Sequence, residues 1–329
     1  MFLLPLVFYT PETRFGAGAS GIVTWRTGKD SSTIRSSSVQ FGAAFTANRQ
    51  LLLYAPFQIF LKKEDYNVYG EIGYYDYNYF FFGIGNEQPK DFRETYYVRY
   101  PRLRLNVLKR VYDQLYAGIR YSLDDYRIGK TDSAGQLTLG QITGSGGGVT
   151  SGAGLIFRFD NRDNLFYASR GYNAELFVQA EDKWTGSEFN FLKYSLDIST
   201  YFQNRYKHVL ALNLFTSVIT GNPPFNQMSL IGGTRKMRGF YEGRYRDKNI
   251  SMIQAEYRMH FFWRIGGVVF ASTGLVSDKI RNYQLQNLKV SGGAGLRILA
   301  DKTQKINIRL DAGFTEEGQN YYLTITEAF

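Results

Sequence analysis

The sequence predicts an all-β protein, a transmembrane antiparallel β-barrel of sixteen strands with a long extracellular loop folded into the lumen. Apolar and polar residues alternate with a period of two along most of the chain, as in strands whose two faces meet different surroundings. Aromatic residues make up 17% of the chain and cluster in stretches such as "YYDYNYFFFG" and "MHFFWR". Membrane interfaces favour such aromatic girdles.

Composition excludes several classes of protein. The 329 residues include no cysteine, which excludes disulfides, thiolate metal sites and a cysteine nucleophile. No run of apolar residues is long enough for a membrane-spanning helix. The opening "MFLLPLVFYT" is interrupted by Pro5, and no basic residue precedes it, so we interpret it as mature chain and not as a signal peptide. We expect one barrel domain over residues 1–329, without a periplasmic repeat domain in this chain.

The strands follow from the alternation. In the stretch 192–199, for example, Leu, Tyr, Leu and Ile lie on one face and Lys, Ser, Asp and Ser on the other. The predicted strands are 14–26, 36–46, 49–61, 67–77, 92–107, 112–127, 150–160, 171–181, 188–202, 207–220, 250–263, 266–276, 288–299, 305–314 and 319–329. Because single-chain bacterial barrels usually have an even number of strands, a sixteenth is expected at 2–9 or 79–84. Pro101, where the alternation changes phase, predicts a β-bulge.

A long basic segment interrupts this pattern. It begins "GGTRKMRGF" at residues 232–240 and continues with further charged residues to Asn249. The segment resembles the sixth extracellular loop of the outer-membrane assembly and translocation barrels, the BamA/TamA-like superfamily that includes the bacterial surface antigen barrels. The motif of that loop corresponds here to Arg238, Gly239 and Phe240.

Other segments carry the same resemblance. The stretches are "FRFDNRDNLFYASRGYN" at 157–173, "AEYR" at 255–258, "GAGLRI" at 293–298 and "IRLDAGF" at 308–314. The chain ends "YYLTITEAF", and its Tyr321 and Phe329 resemble the C-terminal recognition signal of outer-membrane barrels. Together these segments extend the resemblance to essentially the whole chain.

The loop could stay in solvent or fold back into the polar lumen, and we expect it to enter the lumen. A guanidinium removed from water needs a carboxylate. Glu256 is the first candidate partner of Arg238, and it shares its inward face with Arg258. Gly239 would allow close backbone approach, and Phe240 would pack on the wall. The resemblance implies an aspartate on the next strand, but Ser272 stands there. Asp160 and Asp311 are therefore further candidates.

The resemblance implies a role in assembling outer-membrane proteins or lipids, through a weak seam between the first and last strands. Gly16, Gly18 and Gly21 on the first predicted strand would weaken packing there. The periplasmic domains that precede such barrels are not found in this sequence, so it is either a barrel from a longer protein or a reduced form. Two alternatives stay open, namely a passive outer-membrane channel and a barrel-embedded lipid-modifying enzyme.

Other chemistry finds little support. The two histidines, His208 and His260, are interpreted as a surface residue and a lumen residue, and we expect no catalytic activity. "DNRDN" at 160–164 is interpreted as a turn with Asp–Arg pairs and not as a calcium site. We expect no cofactor and no metal. The net charge of +10 suits the lipids and lipopolysaccharide of the bacterial outer membrane. Other outer-membrane proteins and a second copy of the chain are further candidate partners, and nucleic acid is not expected.

Overall fold

A closed antiparallel sheet of sixteen strands forms the protein, in a computed structural model that describes residues 2–26, 35–132 and 135–329. Neighbouring strands pair in chain order, and the first strand meets the last to close the cylinder. A two-stranded hairpin lies outside this sheet, within the connection of residues 222–248. The fold class and the strand number predicted from the sequence are confirmed.

The strands are numbered in chain order, with β12 and β13 forming the small hairpin. They are β1 Phe2–Thr10, β2 Arg14–Trp25, β3 Ser37–Thr46, β4 Leu51–Leu61, β5 Tyr66–Phe81, β6 Glu94–Tyr112, β7 Leu115–Thr131, β8 Gly148–Asp160, β9 Gly171–Glu181, β10 Phe191–Gln203, β11 Val209–Gly221, β12 Ser229–Ile231, β13 Tyr245–Asp247, β14 Asn249–Phe262, β15 Ile265–Ser277, β16 Lys289–Asp301, β17 Ile306–Thr315 and β18 Gly318–Ile325. Short 3₁₀ turns occupy Lys183–Thr185, Phe225–Gln227, Ile280–Asn282 and Leu285–Asn287. In the described residues no helix has the length and apolar character needed to cross a membrane.

The sixteenth strand is β1, the first of the two candidate segments. It pairs with β2 along its whole length, from Phe2 opposite Ile22 to Thr10 opposite Arg14. The other candidate, 79–84, holds the last residues of β5. Gly16, Gly18 and Gly21 consequently lie on β2, one strand away from the closure, so their predicted place on the first strand is wrong.

The two ends of the barrel differ in their connections. At one end, which we call the turn end, short turns join neighbouring strands, for example at residues 204–208, 263–264 and 302–305. At the other, the loop end, the connections at 82–93, 132–147, 222–248 and 278–288 are long. This asymmetry is typical of outer-membrane barrels.

At the loop end of β5, β6 and β7 the inner face of the wall becomes aromatic and the outer face becomes polar. Nearer the turn end, Leu103 on β6 points outward and Arg104 inward; above Pro101 the aromatic Tyr100 is buried inside and Arg99 is exposed outside. β5 and β6 stay in register through Pro101, which lies opposite Tyr74, so the predicted bulge is wrong. The change of phase in the sequence marks instead where these long strands leave the apolar layer. We call this part, residues 75–81, 94–101 and 125–131, the upper wall.

The C-terminal residues depart from the predicted strand. The strand expected at 319–329 ends at Ile325, and Thr326 adopts a positive φ of 70°. Glu327 then turns away from the outer face and receives hydrogen bonds from Arg297 and Asn307. Buried donors thus end the strand early, because they require an acceptor that only an inward turn delivers.

Because the outer face is apolar in the middle of the wall and polar in the upper wall, a charge placed on it should cost stability only in the middle. Ile119, on the outer face of β7 in the middle of the wall, is 63% exposed, whereas Thr95 is exposed on the outer face of the upper wall. Ile119→Arg should lower the free energy of unfolding by about 2–4 kcal/mol, the cost of a charge facing the bilayer midplane. The matched Thr95→Arg should change it by less than about 0.5 kcal/mol. Urea unfolding in lipid vesicles measures both, and equal losses would contradict the assigned membrane level.

Candidate functional site

The side chain of Arg238 is the best-partnered buried cation of the connection 222–248. It is 2% exposed and donates from Nη1 to Oδ2 of Asp311 on β17 at 2.5 Å. Its Nη2 donates to Oε1 of Glu256 on β14. The guanidinium carbon lies 3.8 Å from the ring centroid of Phe270 on β15. One planar guanidinium therefore joins three strands, which suits its fixed fork of donors and its weak hydration.

Gly239 meets the wall through its backbone. Its N–H donates to the Tyr322 hydroxyl at 2.9 Å, and its carbonyl accepts from the Asn320 amide at 2.6 Å. The φ of Gly239 is 115°, and a Cβ here would lie 2.8 Å from Cγ2 of Thr315. Conformation and close approach to β17 together require glycine.

Phe240 follows and is 1% exposed. It belongs to a buried cluster that joins the connection 222–248 to the inner faces of β11, β14 and β15. Its ring meets that of Tyr245 edge-on, with centroids 5.7 Å apart. The cluster consists of Phe215, Ile231, Met237, Phe240, Tyr245, Ile250, Met252 and Val276.

The Arg238 contacts belong to a wider network of buried charges. Glu256 uses its second oxygen to accept from Arg258 at 2.8 Å, and Asp311 accepts from Arg297 at 2.6 Å. Arg297 also pairs with Glu327 at 2.8 Å. Every carboxylate oxygen here has a partner, a cation in each case except Oε1 of Glu327, which accepts from Asn307, so the network limits the cost of burying charge. Its members are Arg238, Arg258, Arg297 and Arg309 with Glu256, Asp311 and Glu327.

The predicted site residues are only partly brought together. Glu256 contacts Arg238, but Arg258 bonds to Glu256 and not to the motif. Ser272 takes no part, because its hydroxyl is bonded to that of Ser291 at 2.7 Å. The second carboxylate that contacts Arg238 belongs to Asp311. Asp160 pairs elsewhere, with Arg35, Arg158 and Arg162.

The two residues of the C-terminal signal lie apart. Tyr321 is 50% exposed on the outer face of β18. The backbone oxygen of Phe329 instead accepts from Arg258 at 2.9 Å, and its ring packs beside the buried Tyr201 and Ala168. Sequence reasoning did not single out Asn320 and Tyr322. The only signal in the sequence is their inward position on β18, where they alternate with the outward Tyr321.

The barrel closes over a short overlap. Among the described residues, β1 and β18 pair at one position, Tyr9 opposite Leu323. β17 and β18, by contrast, pair continuously from Ile308–Ile325 to Thr315–Gly318. We call the junction of β1 and β18 the seam.

The connection 222–248 contacts both sides of the seam. Gly239 and Phe240 bond to Tyr322 on β18, and the N–H of Glu242 donates to Oε1 of Glu12 in the turn between β1 and β2 at 2.8 Å. Burial, with the Glu242 carboxylate nearby, raises the pKa of Glu12 to about 7. The raised pKa favours the neutral form of the Glu12 carboxyl.

Neither histidine lies in a cluster suited to catalysis or metal binding. The ring of His208 bonds to the Tyr257 hydroxyl at 2.9 Å, and His260 is exposed near the turn end. In the described ranges no group of His, Cys, Asp and Glu could hold a metal ion.

A closed antiparallel barrel with an outward apolar face and charged interior defines a bacterial outer-membrane protein. The model of the Omp85 superfamily domain matches residues 14–320, and the chain therefore belongs to the Omp85 superfamily. Short turns face the periplasm in such barrels, so the turn end is the periplasmic end. No curated protein sequence matches the chain.

Solved structures share the fold of the barrel. BamA from Haemophilus ducreyi, in a crystal structure lacking POTRA domains 1–3, superposes with a TM-score of 0.63 at 13% identity, covering 97% of this chain and 69% of that one. CdiB from Acinetobacter baumannii gives 0.59 at 12% identity, covering 98% and 59%. CdiB from Escherichia coli gives 0.62 at 11% identity, covering 98% and 62%. The chain thus spans about three fifths of the length of each CdiB.

The site predicts unequal costs for two conservative substitutions. Asp311→Asn keeps the shape of a side chain that faces Arg238, Arg297 and Arg309 but removes its charge. It should lower the free energy of unfolding by about 3–5 kcal/mol, since it leaves buried cations underpaired. Ser272→Ala removes one neutral hydrogen bond and should cost about 0.5–1.5 kcal/mol. Denaturant unfolding in vesicles compares the two, and a cost for Ser272→Ala as large as that for Asp311→Asn would contradict the assigned partner.

Proposed function

We propose that the barrel acts in the assembly of outer-membrane proteins or lipids, with the connection 222–248 folded into the lumen as a strut. Membership of the Omp85 superfamily supports the general role of insertion or translocation. The observation that carries the proposal is the short seam between β1 and β18, bridged by the same segment that holds Arg238.

The inward strut is supported by the burial of its motif. Arg238 and Phe240 are almost fully buried, and both contact strand faces that point away from lipid. Glu256 alternates on β14 with the outward Tyr257, and Asp311 alternates on β17 with the outward Leu310. A solvated loop would gain nothing from these contacts, whereas a strut inside the barrel fixes the wall at β14, β17 and β18.

We propose that the barrel opens at the seam. With Tyr9 opposite Leu323, only residues 7–10 of β1 face 322–325 of β18. Few backbone hydrogen bonds therefore hold the closure, and an unpaired edge in lipid is costly. The strut contacts at Tyr322 and Glu12 stabilise the closed state from inside. Loosening them would free strand edges toward the membrane.

The outer surface at the seam is apolar, as expected of a surface that contacts the bilayer. An apolar groove of about 740 Å³ lies there, lined among others by Tyr9, Phe15, Leu296, Leu310 and Leu323. We propose outer-membrane proteins as partners, together with the lipids and lipopolysaccharide around the barrel. A homodimer stays a prediction. So does the absence of catalysis, which unchanged lipid hydrolysis in a His260→Ala variant would support.

A disulfide across the seam tests the proposal. The chain has no cysteine, so Tyr9→Cys with Leu323→Cys places one pair directly opposite across the closure. Oxidation should reduce the folding rate of a reporter barrel in vesicles to the rate without this protein, and reductant should restore it.

The matched control is Leu214→Cys with Ile253→Cys, which bridges β11 and β14 away from the groove, at positions that are also opposite and outward-facing. Its oxidation should leave the folding rate of the reporter unchanged. An oxidised seam pair as active as this control would show that opening at β1 and β18 is not required.

Conductance separates assembly from the channel alternative. Deletion of residues 234–246 should convert a bilayer-inserted barrel without steady conductance into one with a large steady conductance, since it removes the strut from the lumen. Deletion of 279–286, in the connection between β15 and β16, is the control and should leave conductance low. A large steady conductance in the intact chain would favour the passive channel, and Arg238→Ala without effect on barrel stability would contradict the strut.

A further inference from the structure

The periplasmic rim beside β14–β17 is unusually basic. Three successive turns around the barrel, at 204–208, 263–264 and 302–305, contain Arg205, Lys207, Arg264, Lys302 and Lys305 and no carboxylate. At the loop end the turn between β17 and β18 is Glu316-Glu317, whereas the connection 222–248 is basic. The three periplasmic turns are therefore basic without a carboxylate of their own.

These turns enclose a cavity of about 400 Å³. The exposed Lys207, Lys302 and Lys305 line it, together with His260 and Arg264, and no acidic side chain is among its lining residues in the described chain. A cleft with several cations and no carboxylate concentrates anions. We call it the rim cleft.

The cations of the rim cleft are largely uncompensated. Within the described residues, the ammonium groups of Lys207 and Lys302 make no ion pair. The nearest carboxylate to Lys305 belongs to Asp163, at 3.7 Å. That carboxylate already accepts from the backbone and hydroxyl of Ser169. Asp301 accepts backbone N–H groups of its own turn.

Apolar side chains form another part of the rim cleft. Met259, Trp263 and Leu299 contribute to its lining. Trp263 is 72% exposed and Phe262 is 64% exposed, at the level where aromatic residues mark the membrane interface. Cations next to interfacial aromatic side chains fit a ligand with a charged head and apolar tails better than they fit a soluble acidic protein.

We propose that the rim cleft binds the phosphate-bearing headgroup of an anionic phospholipid in the periplasmic leaflet. Lys207, Lys302 and Lys305 supply charge to the phosphate, and Arg264, stacked on Trp263 at 5.5 Å, lies beside the acyl chains. The rim cleft shares Arg258 and Arg297 with the buried charge network, but none of its lining residues belongs to the connection 222–248 or to the seam. It would anchor this side of the barrel in the inner leaflet, independently of any assembly activity.

Native mass spectrometry of the full chain in neutral detergent tests the proposal, with phosphatidylglycerol and phosphatidylcholine of equal chain length as probes. Phosphatidylglycerol should bind more tightly than phosphatidylcholine, and the triple variant Lys207→Gln, Lys302→Gln and Lys305→Gln should weaken its binding at least about tenfold. The control Lys90→Gln, Lys183→Gln and Lys279→Gln removes three exposed loop-end charges and should bind as the unchanged protein does.

Several results would overturn the proposal. Equal binding by the triple variant and the unchanged protein would do so, as would an equal loss in the control, which would indicate non-specific attraction. Binding of polyglutamate but not of phosphatidylglycerol would assign the rim cleft to an acidic protein, and binding of inorganic phosphate alone would assign it to a free anion. The shift in gel mobility on heating shows whether each variant is folded. Lys302→Glu, a single change in an exposed turn, provides the same comparison if the triple variant does not fold.

Discussion

The buried guanidinium of Arg238, held between Glu256 and Asp311, is the interaction on which the interior depends. Burying one cation without partners would cost several kcal/mol, and burying two carboxylates without it would cost more. Each of these groups needs the other two, and Arg258, Arg297 and Arg309 satisfy the oxygens that remain. Because the partners lie on β14 and β17, the position of the connection 222–248 is linked to the spacing of the wall strands.

The link between the connection 222–248 and the wall has its largest effect at the seam, where the wall strands share the least length. The register at Tyr9 and Leu323 leaves β1 and β18 little length in common, so direct pairing contributes less to closure here than between any strands joined by a continuous ladder. Contacts from Gly239 to Tyr322 and from Glu242 to Glu12 add hydrogen bonds on both sides of the seam. In the proposed function, the segment that carries the charged motif also sets how easily the barrel opens.

The superfamily was predicted from the resemblance of the segment at 232–240 and of later segments, and the strand number from the even count usual in such barrels. Alternation in the sequence was sufficient to predict the barrel itself, because each wall residue meets either lipid or a polar interior. It could not decide where β1 lies, since the apolar run around Pro5 lacks alternation. It identified Glu256 as a partner of Arg238 by its inward position on β14. Asp311 shares that inward position on β17, but which inward carboxylate reaches Arg238 depends on how the connection 222–248 crosses the barrel. No local pattern encodes that path.

The composition of the connection 222–248 follows from the two environments that it meets. In the upper wall the inward face is aromatic, and Phe225 packs there against Phe81 and Tyr96, with ring centroids 5.3 Å apart in each pair. Closer to the turn end the inward face is charged, and there Arg238 finds its carboxylates. A segment that contacts both regions must carry both aromatic and basic residues. Its mixed character is therefore a requirement of the wall, which buries apolar side chains above the membrane and charged ones within it.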